Sequence, residues 1–295
     1  MRKILIIPVV MILFTAGCKK QIDETVKEDS QRVPVAQVLE RGLGYLGNGK
    51  YYTARKYFEM IMDNAPNSLE FPRAKLGMAD AYYYDIATGA PEALAEYQSY
   101  LVYFPNSEDA PYAQYMVGMC YYAEVNSPDR DQSYSRKAIA EFEKLKTRFP
   151  DSPYVGLCDE KIRLCWQRIA QHEYEVGIFY HKVHTYRAAE IRLREVLDHY
   201  LDYLSTDERE MVYYYFSRTL FAMTKYDEAA RYFRMILEQY PDTIYRDELR
   251  SDLEDIDSGK LQRQKEERIE KMVEERNQRQ KKSKQKDDGD SPEGN

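Results

Sequence analysis

Four histidines, His172, His181, His184 and His199, are the first residues to test for metal or acid–base chemistry. His181 and His184 are three apart, so a helix sets both near one face. No HExxH accompanies them, and no cysteine is close enough to complete a structural zinc site. The pairs Gly42-Leu-Gly44 and Gly47-Asn-Gly49 follow no strand pattern and lack the lysine-hydroxyl pair of a phosphate loop. Acidic residues are plentiful, but their spacing belongs to helix surfaces and singles out no general acid and base. The expectation is a chain that is not an enzyme and uses no metal and no cofactor.

Tyrosine is the outlier with recognition chemistry, at 28 of 295 residues against 10 Phe and one Trp. A tyrosine buries its ring while its hydroxyl stays wet, which suits packed recognition surfaces. With 43% hydrophobic residues the chain can build a core. Its 43 Lys+Arg and 50 Asp+Glu leave a formal charge of -7, which argues against a nucleic-acid partner.

The elements that must position those tyrosines are read from a fixed register. An alanine is followed four residues later by a large apolar residue and twelve later by proline in Ala54/Phe58/Pro66, Ala93/Tyr97/Pro105, Ala138/Phe142/Pro150 and Ala229/Phe233/Pro241. Ala189/Leu193/Leu201 keeps the register without the proline. Twelve residues before the alanine stands a small residue, with an apolar one three further on: Gly42/Tyr45, Ala81/Tyr84, Gly177/Tyr180 and Ser217/Leu220. Gly118/Tyr121 is the same pair displaced by an insertion. This is the pattern of two helices crossing closely at a small residue, the second stopped by proline. Such hairpins bury their apolar stripes only by stacking on neighbours. The pattern resembles the tetratricopeptide repeat and predicts an all-α superhelix of five helix-turn-helix repeats. The alanines recur at intervals of 39, 45, 51 and 40, longer than the usual ~34.

The longest interval has no proline from Tyr154 to Tyr180 and predicts one long helix bridging the third and fourth repeats. The array then divides into repeats one to three over residues 35–153 and the bridging helix with repeats four and five over 154–250. Residues 251–295 are dense in charge. Glu266 to Glu275 can extend a charged helix, whereas Lys281 to Asn295 is expected to be disordered.

At the amino end, Arg2 and Lys3 precede the apolar run Ile4 to Phe14, which is too short to span a bilayer and is followed by Thr15-Ala16-Gly17-Cys18. Residues 1–17 therefore read as a signal peptide. The small residues before Cys18 resemble the bacterial lipobox, whose cysteine is acylated; Thr15 stands where leucine is more usual, leaving an ordinary signal-peptidase site as the other reading. Acyl chains hold a protein on a membrane at about 0.8 kcal/mol per buried methylene. Lys19 in place of the aspartate of inner-membrane retention points to the outer membrane. Residues 18–34 form the lipidated cysteine and a polar tether. Of the remaining cysteines, Cys158 and Cys165 share a helical face as small hydrophobes, and with Cys120 they are assigned no chemistry; whether any of the three pair is open.

If the first helix of each repeat lines a concave wall, Met78 and Tyr82 of the second repeat stand beside Tyr112, Tyr115, Met119 and Tyr122 of the third as a peptide groove. Tyrosine supplies contact area at little entropic cost and methionine repacks around variable partners. The other reading is ordinary core between repeats.

Several motifs carry a finer resemblance: Pro128-Asp-Arg-Asp-Gln132, Phe149-Pro-Asp-Ser-Pro-Tyr154, Ala170-Gln-His-Glu-Tyr-Glu175 and Tyr186-Arg-Ala-Ala-Glu-Ile-Arg192. In that order, after a lipobox-like cysteine, they resemble the BamD family of lipoproteins in the outer-membrane β-barrel assembly machinery, over about residues 33–248. The resemblance implies a lipid anchor on the periplasmic face of the outer membrane. It implies docking of a BamA-like barrel subunit and other assembly-complex lipoproteins on the C-terminal repeats, and receipt of unfolded outer-membrane proteins by the N-terminal ones. It also assigns the partner-binding arginine of the family to Arg192. An alternative in the same fold class is a periplasmic repeat adaptor for cell-wall or envelope-constriction complexes. A wall-degrading enzyme would need a further domain for which no stretch is long enough.

Overall fold

The computed structural model describes residues 24–28 and 32–288, with side chains to residue 280. Residues 1–17 and Cys18, and with them the expected signal peptide and acyl site, lie outside the described residues. Among the described residues all regular structure is helical.

Two units divide the chain between His172 and Glu173. The first holds the hairpins α1 (Val35–Gly47) with α2 (Tyr51–Asn64), α3 (Phe71–Tyr83) with α4 (Ala90–Tyr103), and α5 (Ala110–Ala123) with α6 (Ser133–Arg148). The second holds α8 (Tyr186–His199), α9 (Thr206–Ala222), α10 (Tyr226–Gln239), α11 (Arg246–Asp257) and α12 (Lys260–Asp288). The long helix α7 (Val155–Lys182) contributes to both. The boundary thus falls inside α7 and not at the expected residue 153. Along its first part Cys158, Ile162, Cys165 and Ile169 are buried in the first unit, while from Glu173 onward the helix packs on α8.

The register explains the hairpins. All five seat alanines, Ala54, Ala93, Ala138, Ala189 and Ala229, are fully buried, as are the large residues four positions on. A methyl group added to Gly42 would lie 2.7 Å from the Phe58 ring, and one added to Gly77 of the next hairpin 2.6 Å from the same ring. Phe58 is therefore clamped between glycines of two successive repeats, and only hydrogen in place of a Cβ lets both backbones approach. Gly118 meets Phe142 even more closely, and Gly177 meets Leu193 at 2.7 Å.

Four second helices stop two residues ahead of the register prolines, at Asn64, Tyr103, Arg148 and Gln239. The intervening Ala65, Phe104, Phe149 and Tyr240 leave the helical region, with ψ of 52°, 56°, 62° and 73°. Proline disfavours a helical conformation in the residue before it, which accounts for the stop. Where Leu201 replaces proline, the chain continues into a 3₁₀ turn, Leu201–Tyr203. Ser205 then caps α9 reciprocally with Glu208: the Glu208 N–H donates to Ser205 Oγ at 3.3 Å and the Ser205 N–H to the Glu208 carboxylate at 2.8 Å.

Two expectations are corrected at the ends. The segment read as a polar tether contains a helical turn over residues 24–28 whose Val26 is 3% exposed in the core formed by Val38, Phe58 and Ala74. At the other end α12 runs to Asp288, through the residues expected to be disordered from Lys281; a run free of Gly and Pro and rich in Lys, Arg, Gln and Glu has high helix propensity.

Gly118→Ala should lower stability by about 1–3 kcal/mol through overpacking against Phe142. Gly44, whose surroundings are open, should gain about 0.4–1 kcal/mol as Gly44→Ala. Urea unfolding of the two variants checks both signs.

Candidate interaction surfaces

In the first unit the aromatic residues assemble around a buried carboxylate. Asp80 on α3 is 7% exposed and accepts hydrogen bonds from the Tyr97 hydroxyl at 2.6 Å and the Tyr112 hydroxyl at 2.8 Å. Burial pushes the Asp80 carboxyl above its ordinary range, against the pull of the two tyrosine hydrogen bonds. Burial, joined by the adjacent carboxylate, drives both phenols up as well, so each remains a donor. From this centre Tyr112 tilts against Tyr154 at 5.8 Å between centroids, and Tyr115 stacks on Tyr154 at 5.3 Å.

The six residues expected to line a groove do not share one surface. Met78 is only 6% exposed and belongs to the core of the first repeat, so it is removed from the groove. The register places it on the α3 face that turns to α1 and α2, a rotation the pattern of apolar residues leaves open. Tyr82 is half-buried under the Arg55 guanidinium, 4.8 Å from the ring centroid. Met119 and Tyr115 pack on the second core with Tyr112. Tyr122 stands apart: Lys161 lies 5.1 Å from its ring centroid, and with Val125, Leu164, Gln167, Arg168 and Gln171 it lines a cleft of about 280 Å³. That cleft joins an aromatic face to cationic and amide groups. It suits an aromatic residue beside a carboxylate or a peptide carbonyl.

The second unit is organised by charge. Arg192 on α8 donates to the Glu173 carboxylate at 2.7 Å, with 46% of its side chain exposed against 8% for Glu173. The guanidinium is thus held from beneath and presented outward. Next to it in sequence Ile191 is 58% exposed, and Phe179 on α7 and Val183 in the turn after it are 59% and 48% exposed. Glu190, 6% exposed, collects Lys225 at 2.6 Å, Arg194 at 3.2 Å and Arg187 at 3.3 Å. Burial alone would push this carboxyl up, but hydrogen bonds from Lys225 and Arg194 outweigh it and hold Glu190 below the ordinary glutamate range. Arg194 in turn reaches Glu228 at 2.9 Å.

Register comparison finds the charged residues that the search for chemistry missed. The position after the seat alanine is Leu94, Ile139 and Ala230 in three repeats but Arg55 and Glu190 in the other two. Arg55 is correspondingly engaged, donating to the Ala81 carbonyl at 3.0 Å and pairing with Asp85 at 2.8 Å. Asp80 occupies the position held by Val117, Val176 and Phe216.

Three of the four histidines make hydrogen bonds within the chain. His181 Nδ1 lies 2.9 Å from Thr219 Oγ1, His184 Nδ1 2.7 Å from the Tyr186 hydroxyl, and His172 Nδ1 2.5 Å from the Pro128 carbonyl. Cys120, Cys158 and Cys165 are free and buried; burial raises their thiols to about 12, 11 and 11, out of the reactive range.

A family model described as outer membrane lipoprotein matches residues 31–225, and a tetratricopeptide-repeat model matches residues 211–243. The chain is similar to the outer membrane protein assembly factor BamD of Rickettsia prowazekii, 28% identical over 243 residues, covering 82% of this chain and 92% of the relative. It is 25% identical over 183 residues to the BamD of Caulobacter vibrioides, covering 62% and 59%. To that of Neisseria meningitidis serogroup A it is 27% identical over 213 residues, covering 68% and 78%.

Glu190→Gln should cost about 1–3 kcal/mol at neutral pH, since three cations lose their charged acceptor. Because the folded-state pKa of Glu190 is depressed, its contribution is complete above the ordinary glutamate pKa and is lost as pH falls through the depressed value. The gap between wild type and Glu190→Gln in thermal unfolding should therefore close only in acid below the ordinary glutamate range.

Proposed function

Given that the chain belongs to the YfiO family of outer membrane lipoproteins, whose members include the BamD assembly factors, we propose that it is a lipid-anchored scaffold on the periplasmic face of the outer membrane that couples a barrel-forming subunit to unfolded outer-membrane proteins. Its role as an outer-membrane protein assembly factor follows from the family. The observation that supports the finer reading most is Arg192, a half-exposed guanidinium oriented by the buried Glu173 and flanked by exposed Ile191. A pre-oriented arginine beside apolar surface has the composition of an interface hot spot.

In this reading the second unit meets the barrel subunit through Arg192 and neighbouring apolar residues, and other lipoproteins of the complex join the same assembly. The first unit receives client segments. The Tyr122 cleft takes an aromatic side chain, with Lys161 and Arg168 available to a nearby carboxylate or carbonyl. Tyr82, Tyr112, Tyr115 and Met119 serve mainly to hold that wall in place. Acylation at Cys18 keeps the scaffold at the membrane. No catalytic step is assigned: the buried acids and the three histidines described above are engaged in hydrogen bonds and ion pairs within the chain.

Purification from outer membranes tests the coupling. Arg192→Ala should reduce copurified barrel subunit about tenfold, a loss of ~1.4 kcal/mol, whereas Arg192→Lys should recover only part of it because lysine lacks the planar fork. Retention of full binding by Arg192→Ala, or recovery of wall-synthesis enzymes in place of the barrel subunit, would refute the reading.

Client binding and anchoring have their own readouts. A photocrosslinker at Tyr122 should capture a synthetic peptide ending in an aromatic residue, and Arg168→Glu should abolish the adduct. Cys18→Ala should move the protein from the membrane to the soluble periplasmic fraction.

A further inference from the structure

The last helix carries a face that meets the second unit only at its base. At about 100° per residue, Leu261, Lys265, Ile269, Met272, Arg276 and Arg279 fall in one stripe of α12, with Val273 beside it. Glu267, Glu270 and Glu274 fall on the opposite side, and Glu266 and Glu275 flank them. The stripe is therefore apolar and cationic while the acids face away, although the helix as a whole is mixed in charge.

Its base is packed. Leu261, Gln262 and Lys265 meet Ile256 of α11 and Thr224, Lys225, Tyr226, Asp227, Glu228 and Arg231 around α10, enclosing a groove of about 460 Å³. Lys265 Nζ reaches the Thr224 carbonyl at 3.5 Å. A second groove of similar size, lined by Arg194, Glu228, Arg231, Tyr232 and Met235, shares two of these residues. Glu228 is engaged by Arg194 at 2.9 Å. Arg231 is exposed and makes no ion pair among the described residues. Asp227 is the carboxylate that offsets part of this positive charge.

Beyond Lys265 the same stripe leaves the body. Ile269, Met272 and Val273 are 46%, 53% and 51% exposed. At 1.5 Å per residue, Arg279 stands roughly 21 Å beyond Lys265. An overhang of this kind lacks the tertiary packing from which most protein helices draw their stability. It also lies past the residues matched by the outer membrane lipoprotein model and by the repeat model, so the framework shared with the family does not account for it.

We propose that the corner between α10 and the overhanging α12 is a docking site for an acidic amphipathic segment of another protein. Apolar residues of that segment cover Ile269, Met272 and Val273, and its carboxylates meet Arg276, Arg279, Lys265 and Arg231. A flat lipid surface fits less well: the stripe faces the side on which the body already stands, so the body holds a bilayer away from it. The proposal does not depend on the coupling assigned to Arg192.

The test uses the full chain bearing Cys18→Ser, so that no acyl chain contributes. The probe is a synthetic helical peptide with a leucine seam flanked by glutamates, followed by fluorescence anisotropy. Binding should weaken at least tenfold in Arg276→Glu/Arg279→Glu and in Ile269→Asp/Met272→Asp. It should be unchanged in Arg263→Glu, which lies off the stripe. A lysine-flanked version of the peptide should bind the Arg276→Glu/Arg279→Glu chain better than wild type. No detectable peptide binding, equal loss in Arg263→Glu, or binding to phosphatidylglycerol vesicles without binding to the peptide would each overturn the proposal.

Discussion

Close contact between one large side chain and a residue with little or no side chain is the constraint on which each hairpin depends. Phe58 against Gly42 and Gly77, Phe142 against Gly118 and Leu193 against Gly177 repeat the same geometry. Two helix backbones come near enough for a ring or an isobutyl group to fill the space between them, at close to crystalline density. The seat alanine on the same helical face closes the contact from the other side. In the first repeat the clamped ring also touches the next hairpin, so a single residue both closes its own repeat and registers the neighbour. A hairpin too small to bury its own stripe gains its stability through such contacts, which is why the units are arrays and not single repeats.

Once packing is delegated to that contact, charge individualises the copies. Arg55, Asp80, Glu173 and Glu190 occupy buried or half-buried helix positions. Each is costly unless fully partnered, and each is: Arg55 by Asp85 and a carbonyl, Asp80 by two phenols, Glu173 by Arg192, Glu190 by three cations. Arg187 and Arg194 reach Glu190 from its own helix, but Lys225 to Glu190, Tyr112 to Asp80 and Asp85 to Arg55 cross to the next repeat and tie it to its neighbour. Tyrosine serves the same end in the first unit, with the ring as core and the hydroxyl as donor. Its abundance is therefore accounted for more by internal wiring than by an open recognition trough.

This division explains what was readable in advance. The seat alanines, the residues four later and the stopping prolines depend on spacing alone, and the helix ends at Asn64, Tyr103, Arg148 and Gln239 follow from them. Helix rotation does not. Met78 and Tyr82, one helical turn apart, both turn to the core of the first repeat, Met78 inside it and Tyr82 packed against it under Arg55; which face of α3 lines a groove is settled by contacts with α1 and α2. Val26 belongs to a stretch polar enough to read as linker, and its burial depends on the core that the first hairpin builds with Ala74 of the next. The long reach of α12 was missed for a different reason: its composition satisfies both a disorder rule based on charge and a helix rule based on propensity. Glu190 and Asp80 were legible in principle, as charged residues at positions that are apolar in three of the other four repeats. Seeing them required comparing the copies with one another, because the search for catalytic spacing treats every acid on a helix as solvated.

The buried acids are held by their partners in states unsuited to proton transfer. An acid poised for proton transfer needs a pKa near the working pH and access to a substrate. Glu190 is held below the ordinary range by its cations and Asp80 is enclosed by two phenols, so neither offers a proton or a lone pair to a substrate. Arg192, Arg231, Arg168 and the cations of the α12 stripe stand on the surface of a chain whose net charge is negative. An excess of acid elsewhere leaves these as local positive features, each with exposed apolar area or an aromatic face beside it. Electrostatic contrast sharpens which approach is productive, and the adjacent apolar area supplies the affinity. The internal ion pairs of each array keep these features fixed in place.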